Sequence, residues 1–524
     1  MKRIKPYAAF LLILSLVLPL FCGCSSDTAL NDSELWIVTE QGTWDRMNGQ
    51  IYVLEQAYKN EHPGIEIRVE YLPTNQQERE VYLQQLRTDI LQGGGPDLYL
   101  LPTDNSLILD EPEQYTFIDV DPLFTDVDLA MRNGLFYDIS DFYDADEALG
   151  KEFLNTDIMD AGVVDGKRYV LPLRYDLPVI YARHDALDAA GIDPAIMTQD
   201  IISIMEAVIG SGDPLLAMGL CHDGIDAFSD FIDYNSGNAI LDEARLSLYM
   251  ETYQKLKATI GTAYVDNHWT GDEDLFWELI GDGAISAEKL NVEKYLRIYY
   301  EQGLVEYFPL YVGTMQDAFD YAPIARYEEA EITITPMRSV EGEIIATVAY
   351  YGALGSGCRN PELAYDFLRL FLLEESQWEF NRPTVNHTKP LKGSGNTTND
   401  LQYAGLIENG WPVRDVASLD RLWTVRRKQF YVAYVDSYFH EDKNIVAERN
   451  RRNRRIGRMG ELGEELVPLF DVTIDDVRFN TTLSDEFSDT LAQLNDVLNE
   501  PTQANMDELA RQYIWNLRWH VSEG

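Results

Sequence analysis

A chain of 524 residues is too long for one hydrophobic core, and two or three domains are expected. Hydrophobic residues at 45% and aromatics at 11% are ample to pack them. A formal net charge of −46 argues against nucleic-acid binding and against adsorption to anionic lipid headgroups.

The first residues read as an export leader. Lys2, Arg3 and Lys5 precede the apolar run Ala8–Leu20, which is shorter than the roughly 20 residues of a membrane span. Phe21-Cys22-Gly23-Cys24-Ser25-Ser26 follows and resembles a bacterial lipobox, with Phe21 and Cys22 in place of the usual leucine and small residue. The expected organisation is a signal peptide over 1–23, acylation (palmitate) at Cys24 with Cys22 as second candidate, and a polar tether over 24–33. Plain secretory cleavage is the alternative.

The mature chain opens with the strand-like run Glu34–Thr39 and the loop 41–45. Helical spacing over Met47–Asn60 (Ile51, Leu54, Tyr58), a break at His62-Pro63-Gly64 and an alternating strand over Ile65–Tyr71 come next. A helix over Gln77–Gln92 then leads through Gly93-Gly94-Gly95-Pro96 into the strand Asp97–Leu101. This alternation predicts an α/β lobe with parallel strands. The three glycines follow a helix and open a strand, the reverse of a phosphate loop, and are expected to cap the helix.

Asp165-Gly166 marks a tight turn before two β-type runs, Tyr169–Leu173 and Val179–Ala182, joined by the polar connector Arg174-Tyr175-Asp176. Asp185 is expected to cap a short helix that Gly191 closes, with Pro194 as a stop. Strands over Ile332–Pro336 and Ile344–Tyr350, an amphipathic helix over Asn360–Leu373, and helices near Asp485–Asn499 and Thr502–Trp519 complete the reading, with Trp515 expected in the core. Beyond the leader the cysteines are Cys221 and Cys358, either buried free thiols or one disulfide. From Arg426 to Arg458 ten basic residues meet four acidic ones. That island is either a helix face paired with the protein's own acidic surface or a docking patch.

Catalytic signatures are missing. The sequence has no H-E-x-x-H, no Cys–His pair at zinc spacing, no G-x-S-x-G elbow and no Walker sequence. The acidic stretches lack the pattern of a calcium loop. No enzyme activity, metal or cofactor is expected.

Val163–Pro194, with Asp165-Gly166-Lys167, Tyr169, Leu171-Pro172, Tyr181, Arg183, Leu187 and Ala190-Gly191, resembles the extracellular solute-binding proteins of ABC importers (family 1, the group of the maltose-binding proteins). Glu61-His62-Pro63-Gly64-Ile65-Glu66-Ile67, Gly94-Gly95-Pro96-Asp97 and the Asn360–Gln377 segment fit the same family. The resemblance is specific in the first half and around 345–390, and only compositional from about 391 to 480, which is longer than the family needs.

It implies a two-lobed, periplasmic-binding-protein-like α/β fold with interlobe hinge strands and a cleft. Residues 34–173 and 336–376 would form lobe 1, and 177–335 with 380–524 lobe 2. Hinges are expected near Arg174–Asp176, Pro336 and 376–385. The implied function is a lipid-anchored substrate-binding protein at the outer face of the cell membrane. As a monomer it would capture a small polar solute, an oligosaccharide foremost, and deliver it to ABC permease subunits. A ligand-sensing partner of a membrane receptor kinase and an exported glycosidase are the alternatives.

Sugars want aromatic platforms ringed by hydrogen-bonding groups at strand ends. The candidate ligand contacts are therefore Gln41, Trp44 and Asp45, then Asp104 and Asn105, then the connector Arg174, Tyr175 and Asp176. Tyr234, Asn235 and Trp269 in the second lobe and Tyr350 and Tyr351 on the returning strand complete the set.

Overall fold

The computed structural model describes residues 34–40, 46–103, 106–111, 114–220, 227–228, 232–233, 238–239, 241–260, 309–315, 318, 322, 330–373, 376–377, 411–414, 469, 472–479 and 503–523. Their elements begin with β1 (Glu34–Thr39), α1 (Arg46–Glu61), β2 (Glu66–Tyr71), α2 (Gln76–Leu91), β3 (Leu98–Pro102), β4 (Ser106–Glu111) and β5 (Gln114–Asp119). Short helices α3 (Val127–Arg132), α4 (Ser140–Ala145) and α5 (Thr156–Asp160) precede β6 (Val163–Val164), β7 (Lys167–Arg168), β8 (Val170–Asp176) and β9 (Val179–Arg183). Then come α6 (His184–Ala190), α7 (Ile201–Ser211), α8 (Pro214–Leu220), β10 (Ile232–Asp233), β11 (Asn238–Ala239) and α9 (Glu243–Ile260). The last are β12 (Leu310–Gly313), β13 (Ile332–Pro336), β14 (Ile345–Leu354), α10 (Pro361–Leu368), β15 (Trp411–Pro412), β16 (Asp476–Arg478) and α11 (Gln503–Glu523).

Alternation along β1 sorts the first lobe into layers. Leu35 and Ile37 pack with Ile51 and Tyr58 of α1, whereas Val38 packs on the other face with Leu83, Leu86 and Ile90 of α2. With a crossover helix on each face, β1 pairs in parallel with both β2 and β3. The sheet runs β15-β8-β14-β3-β1-β2, with β16 also on β14. At the helix-to-strand turn Gly93 and Gly95 have φ of 79° and 97°, and a Cβ on Gly95 would lie 2.9 Å from Ile90 Cγ1. That is a helix cap, as the order of elements predicts.

The second lobe centres on β9, flanked antiparallel by β12 and β13. Ile180 and Ala182 face a core built by α6 to α9 and α11, while Val179 and Tyr181 face Met315, Ala318 and Ala322. Two local expectations fail here, and Pro194 takes a second role beyond ending the helix. Asp185 is not the cap of α6: Arg183 holds that position, and the Asp185 carboxylate accepts from Arg183 Nε at 3.0 Å and Ala186 N at 3.0 Å. Pro194 opens a 3-10 turn over Pro194–Thr198, because Asp193 caps it and proline suits a first helical position. Trp515 is 59% exposed, since α11 buries Ala510, Tyr513, Ile514 and Leu517 instead.

The architecture is thus α/β with two lobes. The chain crosses between them at Leu177-Pro178, after β8, and again at 337–344, before β14. The two crossings are joined, Met337 N donating to Pro178 O at 2.8 Å. Val340 N donates to Ala227 O at 2.7 Å, and the Arg478 guanidinium donates to the Phe228 carbonyl, tying the first sheet to the second core. β15 and β16 come from the stretch that sequence assigned to the second lobe, yet both add strands to the first sheet. Cys358 carries a free thiol, pushed up to about 12 by burial and by the Asp97 carboxylate; Cys221, the basic island and the 485–499 helix lie outside the described residues.

Asp128 in α3 supplies a pH test of this packing. Burial, then the Asp126 charge, push its carboxyl from 3.8 up to about 7, Asp476 adding to this and Arg132 opposing it. A raised carboxyl favours folding while protonated, so its contribution is full below about pH 4 and lost as pH climbs through 7. Asp128→Asn should therefore match the parent at pH 4 and exceed it at pH 8 by more than about 1 kcal/mol, read from urea midpoints. Equal midpoints at pH 8 would contradict it.

Candidate binding site

The carboxyl ends of β1 and β3 leave the first sheet at one edge, because the two strands are parallel. β14 runs antiparallel to β3, and β8 antiparallel to β14, so the end of β8 lies at that edge too. The register is explicit. Tyr350 pairs with both Pro102 and Arg174, Val348 with Tyr175, and Thr347 with Asp176. The same edge carries both crossings to the second lobe. Open α/β sheets place ligands at such strand ends.

β14 is irregular there, with register shifts between Val348 and Tyr350 and between Tyr350 and Tyr351. Bulges of this kind re-aim side chains. Thr103, just past β3, holds the bulge: its N–H donates to Ala349 O at 3.0 Å and its hydroxyl to the Val348 carbonyl. A narrow recess opens beside it, lined by Glu40, Thr103, Phe124, Tyr351 and Phe479 among others, and enclosing about 380 Å³ out to open solvent. Its free interior holds a water-sized group rather than a sugar ring.

Arg174, Tyr175 and Asp176 do not form a polar connector. They complete β8, and Arg174 and Tyr175 are 6% and 5% exposed. Flanking strands β14 and β15 cover them, a cover supplied by chain far away in sequence. Asp176 is half-buried and accepts from Leu177 N at 2.8 Å, turning the chain into the crossing. Burial alone lowers the Arg174 guanidinium to about 10. Tyr350 and Tyr351 are buried as well, and burial, then Tyr99 and Glu40, raise the Tyr351 phenol so that it stays neutral. Gln377 fastens the far side of β8, its Nε2 donating to Leu173 O at 3.2 Å and Phe371 O at 2.7 Å.

Gln41, Trp44 and Asp45 follow directly on β1, and Asp104 and Asn105 directly on Thr103; these five, with Tyr234, Asn235, Trp269 and Cys24, lie outside the described residues. Sequence reasoning missed Glu40, Thr103, Phe124 and Phe479. The first two adjoin the predicted loops and could have been included. Phe479 could not, since it packs edge-on against Tyr351 from 128 positions away, with centroids 6.0 Å apart. Among the described residues no group of three or more His, Cys, Asp or Glu could hold a metal ion, and no helix is long and apolar enough to cross a membrane.

The model of the family described as bacterial extracellular solute-binding protein matches residues 49–378. An ABC substrate-binding protein from Listeria monocytogenes in complex with cycloalternan is similar in structure, with a TM-score of 0.46 at 11% identity over 93% of this chain and 99% of that one. A cyclic α-maltosyl-1,6-maltose binding protein from Arthrobacter globiformis gives 0.45 at 13%, over 93% and 98%. A de novo designed esterase gives 0.47 at 12%, over 94% and 100%. Likenesses at this level carry no argument about ligand or activity. No curated protein matches the chain.

Proposed function

The chain belongs to the bacterial extracellular solute-binding proteins, and on that premise we propose that it captures an oligosaccharide between its lobes and delivers it to the permease of an ABC importer. A lipid on Cys24 would hold it at the outer face of the membrane, and its own negative charge makes a covalent anchor useful. The observation that carries the reading is the convergence at one sheet edge of three strand ends and two interlobe crossings. Ligand bridging that edge and the second lobe would favour the closed arrangement, the shape a permease reads. The chain has no Walker sequence, so the energy of import would come from a separate ATPase.

Thermal unfolding of the mature chain from Ser25, screened against mono- and oligosaccharides, polyols and short peptides, tests this. A ligand at ~100 times its dissociation constant adds about 2.7 kcal/mol to the folded state. At least one oligosaccharide should raise the midpoint, and Trp44→Ala or Asp176→Ala should remove the rise. A panel in which only peptides act, or in which both variants respond like the parent, would overturn the reading.

A further inference from the structure

Five arginines among the described residues are nine-tenths or more buried: Arg79, Arg168, Arg174, Arg183 and Arg478. Four have a carboxylate partner, namely Glu40, Asp160, Asp185 and Asp476. Arg174 pairs with no carboxylate among the described residues, and its one hydrogen bond there is long, Nη1 to the Gln377 carbonyl at 3.4 Å. A buried guanidinium without a counter-charge is costly, and such groups are normally paired. Beside it sits a second anomaly: Gln377 Oε1 is buried and accepts no hydrogen bond. Both groups belong to the edge where β8 turns into the crossing, opposite the bulge of β14.

We infer that Arg174 is a ligand-binding residue and that the solute is a saccharide bearing a carboxylate, a uronate. The inference rests on the solute-binding reading and narrows its substrate class. A guanidinium presents five N–H donors in a planar fork matched to a carboxylate, and four remain after the bond to Gln377. The Gln377 amide oxygen adds an acceptor for a neighbouring hydroxyl. Donor fork and single acceptor together complement a hydroxy acid rather than a neutral sugar, whose hydroxyls would leave the cation unneutralised. Arg174 is only 6% exposed, with β14 and β15 of its own sheet on either side, so binding requires the flanking strand β15 to give way to the carboxylate. The chain's negative charge does not oppose this at close range, because exposed charges are screened beyond ~8 Å at physiological salt while a buried cation is not.

Calorimetric titration of the mature chain with trigalacturonate, a glucuronate-containing disaccharide, the methyl ester of trigalacturonate, maltotriose and galactose 6-sulfate tests the inference. A uronate should bind at least ~100-fold more tightly than its neutral ester. Arg174→Met should erase that preference, and Arg174→Lys should keep part of it, since lysine retains the charge without the fork. The thermal midpoint of the ligand-free Arg174→Met protein is the decisive control: a cation held for ligand should be replaceable by an apolar chain with no loss, or with a gain. A midpoint lowered by more than ~4 °C would mark Arg174 as a structural residue and overturn the proposal. Equal affinity for ester and acid, or binding of the sulfate alone, would overturn it while leaving the solute-binding reading intact. Absence of binding by every saccharide would remove both.

Discussion

Asp97→Ala should destabilise the protein by about 3 kcal/mol, because it strips the acceptor from four donors at once. Asp97 is 2% exposed. One carboxylate oxygen accepts from Trp36 N at 2.9 Å and Arg359 Nη2 at 2.5 Å, the other from Arg359 N at 3.1 Å and Nε at 3.2 Å. The Arg359 side chain is one-third exposed and can turn to water, which moderates the loss. Trp36 N, part-buried on β1, has no such route. The carboxylate in turn raises the guanidinium of Arg359. Asp97→Asn keeps one acceptor oxygen and should cost about half as much. Urea midpoints at pH 7 read both, and an alanine variant within about 0.5 kcal/mol of the parent would refute the account. The Gly-Gly-Pro-Asp pattern is then a structural clamp joining β1, β3 and the segment before α10.

That clamp illustrates what sequence could and could not supply. The layered α/β order was legible because Leu35, Ile37 and Val38 alternate and the helices after them keep a 3.6-residue period. Gly191, with φ 72°, and the Asp165-Gly166 turn, with φ 51° and 76°, were legible because only turn residues accept positive φ cheaply. Arg174-Tyr175 misled, since a polar pair beside prolines reads as exposed connector until Tyr350 of β14 and Pro412 of β15, 176 and 238 positions from Arg174, are known to flank it. The site suffered the same way. Positions next to strand ends, such as that of Asp176, are within reach of local reasoning, while Phe479 and Gln377 come to the candidate site through contacts more than 100 positions distant. Pairing a buried cation with its carboxylate is likewise non-local: Arg79 and Glu40 lie 39 positions apart. Nothing in either residue's neighbourhood marks them as partners.

Glu40→Ala is expected to cost about 3–5 kcal/mol, the largest loss of any single change proposed for the first lobe. Glu40 directly follows β1 and is 4% exposed; Arg79 on α2 is 1% exposed. The pair is bidentate, at 2.9 and 2.5 Å, and Arg79 also donates to Asp121 O at 2.7 Å and Pro73 O at 3.0 Å. Removing the carboxylate leaves a guanidinium in the core with two carbonyls and no counter-charge. Removing both charges is a different experiment: Glu40→Leu with Arg79→Met replaces the pair by apolar volume and should recover the parent's midpoint to within about 1 kcal/mol. A double-mutant cycle in urea would then show a coupling of about 3 kcal/mol. A double variant as unstable as Glu40→Ala would mean that the carbonyl bonds of Arg79, not the ion pair, hold α2 to β1. The cycle also bears on binding. Glu40 lines the recess beside Tyr351 and immediately precedes Gln41, a candidate ligand contact. The double variant should fold and yet show a smaller ligand-induced rise in midpoint than the parent, separating what the pair does for the fold from what it does for the cleft.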